Sequence, residues 1–298
     1  MSIVVTGSVF VDIKGYPEGD FIPTGRNAGS IEYVHGGVAR NIAEDIANTG
    51  LNPIFAAIVD DTGAGDDVIA KLKKSGVNTD YMRKTPDGMG TWLAVFDEEG
   101  EVCASISKRP DLMPILDILD EEGDEIFKDA DSILLELDVE EEILNKLMYF
   151  GEKYNKPVYS AVSNMTIAME RLDYLKKIDL FVCNQNEAGI LFGGDYMDKT
   201  PEELSGILSE KMDELGVNKL IVTMAEQGAV YANADGSCGI CPAKDVKVID
   251  TTGAGDAFFA GVSAALSQNK TLGEACETGT MLASLVIQSK DNVCPKLY

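Results

Sequence analysis

The sequence predicts an α/β fold, with a mostly parallel central sheet covered by helices on both faces and a small β lid beside it. Three observations lead there. Short β-rich apolar runs alternate with segments of helical spacing, the pattern of strands joined by crossover helices. Two stretches, Ile13 to Glu32 and Thr91 to Ile106, break that rhythm and read as β structure outside the main sheet. The chain has 298 residues, 45% hydrophobic and 25% charged, which suffices for a large buried core.

The runs Ile3–Val5, Ile54–Val59, Ile133–Leu137, Val158–Ala161, Leu180–Cys183 and Leu220–Thr223 read as buried strands. Helical spacing lies between several of them. Asp138 is a candidate cap for a helix whose apolar positions Val139, Ile143 and Leu147 recur every four residues. Thr200-Pro201-Glu202-Glu203 is a fuller start signal, with a hydroxyl cap, a proline at the first helical position and a glutamate at the third. Leu204, Ile207, Leu208, Met212 and Leu215 then form one face, and Gly216 stops the helix. Thr91–Phe96, a polar Asp97-Glu-Glu-Gly100 turn and Glu101–Ile106 read as a hairpin. No repeat, low-complexity tract or interdomain linker stands out, so residues 1–298 are expected to form one domain with a lid from about 13–34 and 88–110.

Fifty acidic residues stand against 25 basic ones, a formal charge of −25. A phosphate backbone or an anionic membrane surface would be repelled, so neither nucleic acid nor membrane is an expected partner. An anionic ligand must instead be held by backbone amides, a helix N-terminus or bound cations. No apolar stretch reaches the roughly 18–20 residues of a membrane span. The start, Met1 to Gly7, has no basic leader and reads as a first strand, so a cytoplasmic protein is expected. The six cysteines are scattered. Cys238-Gly-Ile-Cys241 lacks the second ligand pair of a zinc site and reads as a reduced hairpin.

The strongest chemistry lies in Val248-Ile249-Asp250-Thr251-Thr252-Gly253-Ala254-Gly255-Asp256-Ala257-Phe258-Phe259. A glycine-rich turn runs straight into a helix of small apolar residues. Gly253 and Gly255 let the backbone approach a ligand, and their amides sit at the positive end of the helix. Asp256 lies beside that anion site, placed to take a proton from a hydroxyl that attacks a phosphoryl group held by the amides. Gly-Ala-Gly-Asp alone is weak, since such turns also open dinucleotide-binding helices. The chain even contains a second copy, Asp60-Asp61-Thr62-Gly63-Ala64-Gly65-Asp66-Asp67. That copy leads into the half-polar Val-Ile-Ala-Lys-Leu-Lys-Lys and reads as a structural turn, whereas Ala-Phe-Phe-Ala-Gly-Val after Asp256 must be buried.

Asp250-Thr-Thr-Gly-Ala-Gly-Asp256-Ala-Phe resembles the C-terminal signature of the ribokinase-like (PfkB) kinases. His35-Gly36-Gly37-Val-Ala-Arg40-Asn41-Ile-Ala resembles their Gly-Gly-x-x-x-Asn signature, and Asn184-Gln-Asn-Glu187 resembles their Asn-x-x-Glu element. The three motifs appear in the family's order over nearly the whole chain. The resemblance implies a ribokinase-like three-layer α/β/α fold with a lid where the irregular segments lie. It also implies an ATP-dependent kinase with Asp256 as base and an anion hole made by the amides of Gly253, Ala254 and Gly255. Thr223, Gly228 and Asn184 would serve the nucleotide, and Glu187 and Asn184 would hold Mg²⁺ through water. Asp250 and the Thr252 backbone correspond to a monovalent-cation site, with K⁺ use open. Asp12, following the first strand, with Gly36, Gly37 and Asn41, would bind the acceptor; for Asn41 a helix-start cap is the competing structural reading.

Two positions depart from the family pattern. Ala225 stands where relatives carry glycine, at a loop where alanine tolerates positive φ poorly. Ser160-Ala161 stands where many carry Asp-Pro. On the acceptor side, Gly7-Ser8-Val-Phe-Val-Asp12-Ile-Lys-Gly15-Tyr16, Gly36 to Glu44 and Val293-Cys294-Pro295 most resemble the pseudouridine kinase branch. Ser107-Lys108-Arg109 in the lid departs from that branch, so ribose, fructose-type sugars and other nucleosides stay open. A homodimer through the lid is expected by analogy. A Rossmann dehydrogenase would need its glycine-rich turn after strand one, with an acid about 20 residues on, and Gly7 to Asp12 lacks that spacing. A ligand-binding regulator descended from a kinase is the rival reading from another class.

Overall fold

A computed structural model describes residues 2–99 and 102–298, so Met1 and the Gly100 and Glu101 of the expected hairpin turn lie outside the described residues. The strands are β1 (Ile3–Thr6), β2 (Phe10–Pro17), β3 (Gly29–Gly36), β4 (Ile54–Asp60), β5 (Met82–Thr85), β6 (Gly90–Phe96), β7 (Val102–Lys108), β8 (Ser132–Glu136), β9 (Val158–Ala161), β10 (Leu180–Asn184), β11 (Lys219–Thr223), β12 (Ala229–Asn233) and β13 (Cys238–Cys241). The helices are α1 (Val38–Asn48), α2 (Gly63–Ser75), α3 (Ile115–Lys128), α4 (Glu141–Tyr154), α5 (Met165–Ala168), α6 (Gln185–Phe192), α7 (Pro201–Leu215), α8 (Ala254–Ser267) and α9 (Leu272–Val286).

Among the described residues the main sheet runs in the order β13-β12-β11-β10-β9-β8-β1-β4-β5. Every neighbouring pair from β11 to β5 is parallel, and β12 and β13 add an antiparallel edge. Strands buried on both faces read as unbroken apolar runs, which is why these six segments were legible as strands. Successive residues then serve opposite sides. Val4, Ile133, Leu135, Phe181 and Val222 enter a core with residues of α3, α4, α6 and α7. Ile3, Val5, Leu134, Val182 and Ile221 enter a second core with residues of α1, α2, α8 and α9. The result is the expected α/β/α sandwich.

Helix ends follow the sequence in most places. Thr200 and Glu203 form both halves of a capping box, and Gly216 closes α7 at φ 68°. The decoy Gly-Ala-Gly-Asp opens α2, whose buried side is limited to Gly65, Val68, Leu72 and Ser75. Asp138 is not a cap, contrary to the spacing: α4 starts at Glu141, and the Asp138 carboxylate is buried on Ser163 and Arg109.

The second sheet has the order β3-β2-β6-β7. It begins at Phe10, earlier than the expected 13, so Asp12, which follows β1 as expected, lies inside β2 opposite Val34 and Trp92. Its two faces differ. One carries Ile13 in register with Tyr33 and Leu93, and Leu93 with Ile106; Tyr33 is 71% exposed and Ile106 69%. The other carries Asp12, Lys14 and Tyr16 beside Trp92 and Phe96. The rings of Tyr16 and Phe96 stack at 4.8 Å, and Trp92 meets Phe96 edge-on at 6.3 Å.

Candidate active site

Ligands of open parallel sheets gather beyond the carboxyl ends of the strands, and the predicted residues converge there. Gly253 precedes α8 at φ 82°, a conformation that favours glycine. A Cβ at this position would lie 2.1 Å from the Asn292 carbonyl oxygen, so the C-terminal segment packs directly on the loop. Gly255 is the opposite case: a Cβ there would meet nothing within 4 Å. The Ala254 amide folds back on the Thr251 carbonyl at 3.2 Å. Asp256, in the first turn of α8, accepts a hydrogen bond from Asn41 Nδ2 at 2.8 Å. Burial pushes its carboxyl up to about 7, against the Asn41 hydrogen bond and the Arg40 charge; the charges of Asp12 and Glu187 add to the rise.

Gly36 and Gly37 have separate reasons to be glycine. A Cβ at Gly36 would meet Asp12 Oδ2 at 2.5 Å, so the small residue lets that carboxylate lie against the backbone. Gly37 adopts φ 97° and abuts the Ser8 carbonyl. Gly37 is also the cap position of α1, so Asn41 is not the cap: it lies inside the helix, with its side chain on Asp256 rather than on the helix end. Burial lifts Asp12 to about 6, opposed by the Lys14 and Arg40 charges.

Asn184 and Glu187 form a capping box at the start of α6, Asn184 Oδ1 accepting from the Glu187 amide at 2.9 Å and Glu187 Oε2 from the Asn184 amide at 2.8 Å. One Glu187 oxygen is thus occupied locally. Burial raises its carboxyl above the ordinary range. Asp250 Oδ1 accepts from the Thr252 amide at 2.8 Å. Burial raises the Asp250 carboxyl, but that amide, the Thr252 side chain and the charges of Lys14 and Lys290 hold it below its usual value.

A cavity of about 510 Å³ opens between the loop after β11 and the helices α8 and α9. Thr223, Gly228, Phe258, Thr280, Ala283 and Ile287 are among its walls, and so are Ala254 and Gly255. Of the predicted nucleotide residues, Thr223 and Gly228 share this space with Ala254 and Gly255, whereas Asn184 is not among its walls. Ala225 also lines it and takes φ 48°, a left-handed conformation held without glycine. Ser160 is buried, its hydroxyl on the Ala161 carbonyl at 3.0 Å, away from this cavity's walls. Cys238 and Cys241 lie on β13 as free thiols.

Sequence reading missed several polar groups. Glu136, at the end of β8, accepts from the Ser8 amide at 2.7 Å and the Ala39 amide at 3.2 Å, and so holds the turn after β1 against the start of α1. Arg109, just past β7, donates to Asp138 Oδ2 and to the Asp138 carbonyl, both at 3.1 Å. Arg40 is fully buried beneath Asn41. A carboxylate closing an apolar strand, and an arginine inside an apolar helix start, were the available signals.

The pfkB family carbohydrate kinase model matches residues 1–294. The chain belongs to the pfkB family of carbohydrate kinases. As a member it is an ATP-dependent sugar or nucleoside kinase, of a family that works with a divalent metal. It is 34% identical to the guanosine-inosine kinase of Exiguobacterium acetylicum, covering 97% of this chain and 95% of the relative. To the pseudouridine kinase of Escherichia coli (strain K12) it is 26% identical, covering 88% and 82%. The pseudouridine branch suggested by the motifs is thus the more distant of these two. The structure of Arabidopsis thaliana ribokinase complexed with ribose and ATP superposes with a TM-score of 0.84 at 23% identity, covering 99% of this chain and 96% of that one, which shows the pfkB fold.

Proposed function

We propose that this kinase transfers the γ-phosphoryl group of ATP to the 5′-hydroxyl of a nucleoside, with purine nucleosides of the guanosine and inosine type preferred. One observation carries the nucleoside reading: the face of the second sheet that bears Asp12 also bears the aromatic group Tyr16, Trp92 and Phe96. A furanose needs hydroxyl acceptors, which Asp12 supplies. A base needs an aromatic wall, which a bare sugar does not. The 34% identity to a guanosine-inosine kinase points the same way.

In this reading the sheet closes as a lid over the acceptor. Asp256 removes the proton of the acceptor hydroxyl, the freed oxygen attacks the γ-phosphorus, and the bond to the ADP oxygen breaks as ADP leaves. Charge gathering on the transferred group meets the amides of Gly253 and Gly255 at the positive end of α8, and that of Ala254 once it leaves the Thr251 carbonyl. A single donor of this kind is worth on the order of 3 kcal/mol. The second oxygen of Glu187 and the Asn184 side-chain oxygen are hard donors that would hold a largely hydrated Mg²⁺, and its charge would neutralise the phosphates. Asp250 and the Thr252 backbone are the proposed seat for K⁺. Thr223 and Gly228 flank the adenosine cavity. The free thiols and the acidic surface fit a cytoplasmic enzyme with no nucleic-acid partner.

A second reading, pseudouridine as acceptor, is favoured by the motif resemblance and the relative at 26% identity. ATP turnover with Mg²⁺, with and without K⁺, on guanosine, inosine, pseudouridine, uridine, ribose and fructose separates the two. The expected result is the highest kcat/KM on guanosine or inosine. Pseudouridine in first place would overturn the purine preference. Turnover on ribose or fructose alone would overturn the nucleoside reading, and no ATP turnover with any acceptor would favour the ligand-binding regulator.

A further inference from the structure

Arg40 is among the largest fully buried side chains, at 0% exposure. Taking a guanidinium out of water is costly unless its geometry is used, and here it is. Arg40 Nη1 donates to Asn41 Oδ1 at 2.7 Å and to the His35 carbonyl at 2.9 Å, while Nη2 pairs with Glu44, one helical turn on. Asn292, from the C-terminal segment, repeats the pattern from the other side, donating to the His35 carbonyl at 2.8 Å and to Asn41 Oδ1 at 3.3 Å. Glu44 is held in turn by the Ser75 hydroxyl at 2.8 Å and by Lys71. Two donors on Oδ1 leave the Asn41 amide one orientation, with its NH₂ group toward Asp256.

We infer that Arg40 is a positioning residue for phosphoryl transfer: it locks the Asn41 side chain so that its NH₂ group meets Asp256, and pins the end of β3 beside Gly36. The inference rests on the kinase reading above. The guanidinium reaches both halves of the acceptor site at once. His35 precedes Gly36, against which Asp12 lies, and Asn41 touches Asp256. Its positive charge also favours the ionised forms of both carboxylates. Lysine keeps the charge but cannot offer the planar fork. With Lys at this position Asn41 Oδ1 retains only the Asn292 bond, and the amide is free to turn.

The test uses two variants of the full chain. Arg40→Lys is expected to lower kcat/KM for the nucleoside acceptor about 10- to 100-fold, the scale of a small misplacement of reacting groups, with the KM for ATP unchanged. Arg40→Met combined with Glu44→Leu replaces the buried pair by apolar bulk. It is expected to restore the thermal midpoint but not the acceptor kinetics. If either variant folds and turns over nucleoside like the parent, the positioning role is overturned. Recovery of both stability and turnover in the double variant would make the pair purely structural. Should the parent itself show no turnover, the kinase reading is what fails, and the Asn41 side-chain amide resonances then decide. An Asn41 NH₂ pair displaced from the free-amide positions that moves back toward them in Arg40→Lys supports the clamp, and an unchanged pair overturns it.

Discussion

As the proposed base, Asp256 has to be close enough to protein to exclude water from its partner hydroxyl, yet still able to lose its proton. Burial pushes its carboxyl up to about 7, while the Asn41 NH₂ group and the Arg40 charge pull against that rise. A base poised near neutrality suits proton abstraction at working pH. In the free enzyme, kcat/KM for the acceptor is therefore expected to climb with pH through about 7, as this carboxyl ionises. The stability consequence has the opposite slope. A carboxyl whose folded pKa lies above its unfolded 3.8 binds its proton more tightly in the native state. Its ionisation therefore erodes stability as pH rises from about 4 to 7. Asp256→Asn should raise the thermal midpoint relative to the parent at pH 8 and leave it nearly unchanged at pH 4. Denaturation scans at the two pH values check this, and equal effects at both would remove the buried-carboxyl account.

The loop from Asp250 to Gly255 and the helix that follows divide structural and chemical work between two glycines. Gly253 combines φ 82° with a carbonyl 2.1 Å from where a Cβ would stand, whereas Gly255 faces open space. Gly253→Ala should therefore destabilise the protein by more than the ~1–3 kcal/mol of backbone strain alone, loosening the C-terminal segment at Asn292. Gly255→Ala should leave the denaturation midpoint within about 0.5 kcal/mol of the parent while cutting kcat, because the methyl enters the space assigned to the phosphoryl group. Similar stability losses in both would show that the loop has one function, not two. The nucleotide loop shows the same economy at Ala225, which holds φ 48° without glycine. Turn chemistry at this scale was readable: the capping box at Thr200 and the stop at Gly216 form as the spacing predicts. Asp138 was misread because a residue that can cap can equally accept from a distant arginine, and Arg109 lies 29 positions away in the chain.

At the scale of the whole molecule, the sandwich was legible because buried parallel strands and amphipathic helices carry their own periods. The order of the sheet and the placement of Asp12 on β2 were not, since strand pairing across the chain leaves no local mark. The motifs proposed to be catalytic were legible as motifs, but the Arg40–Asn41–Asp256 chain joins Asn41 and Asp256 across 215 positions and only the fold reveals it. The outer face of the second sheet carries Ile13, Tyr33, Leu93 and Ile106 in register as an apolar strip on a chain carrying a net −25. It is proposed to pair with a second copy. Sedimentation of Tyr33→Asp with Ile106→Lys should give monomer where the parent gives dimer, and a monomeric parent would remove that proposal. The central claim is that Asp256 is the base in transfer of phosphoryl from ATP to a nucleoside hydroxyl. It is tested most directly by single-turnover phosphorylation of guanosine, comparing the parent with Asp256→Asn at saturating ATP and Mg²⁺. The account predicts a rate lowered by about 10²–10⁴-fold with acceptor affinity changed little. A variant that phosphorylates guanosine at the parental rate would contradict it.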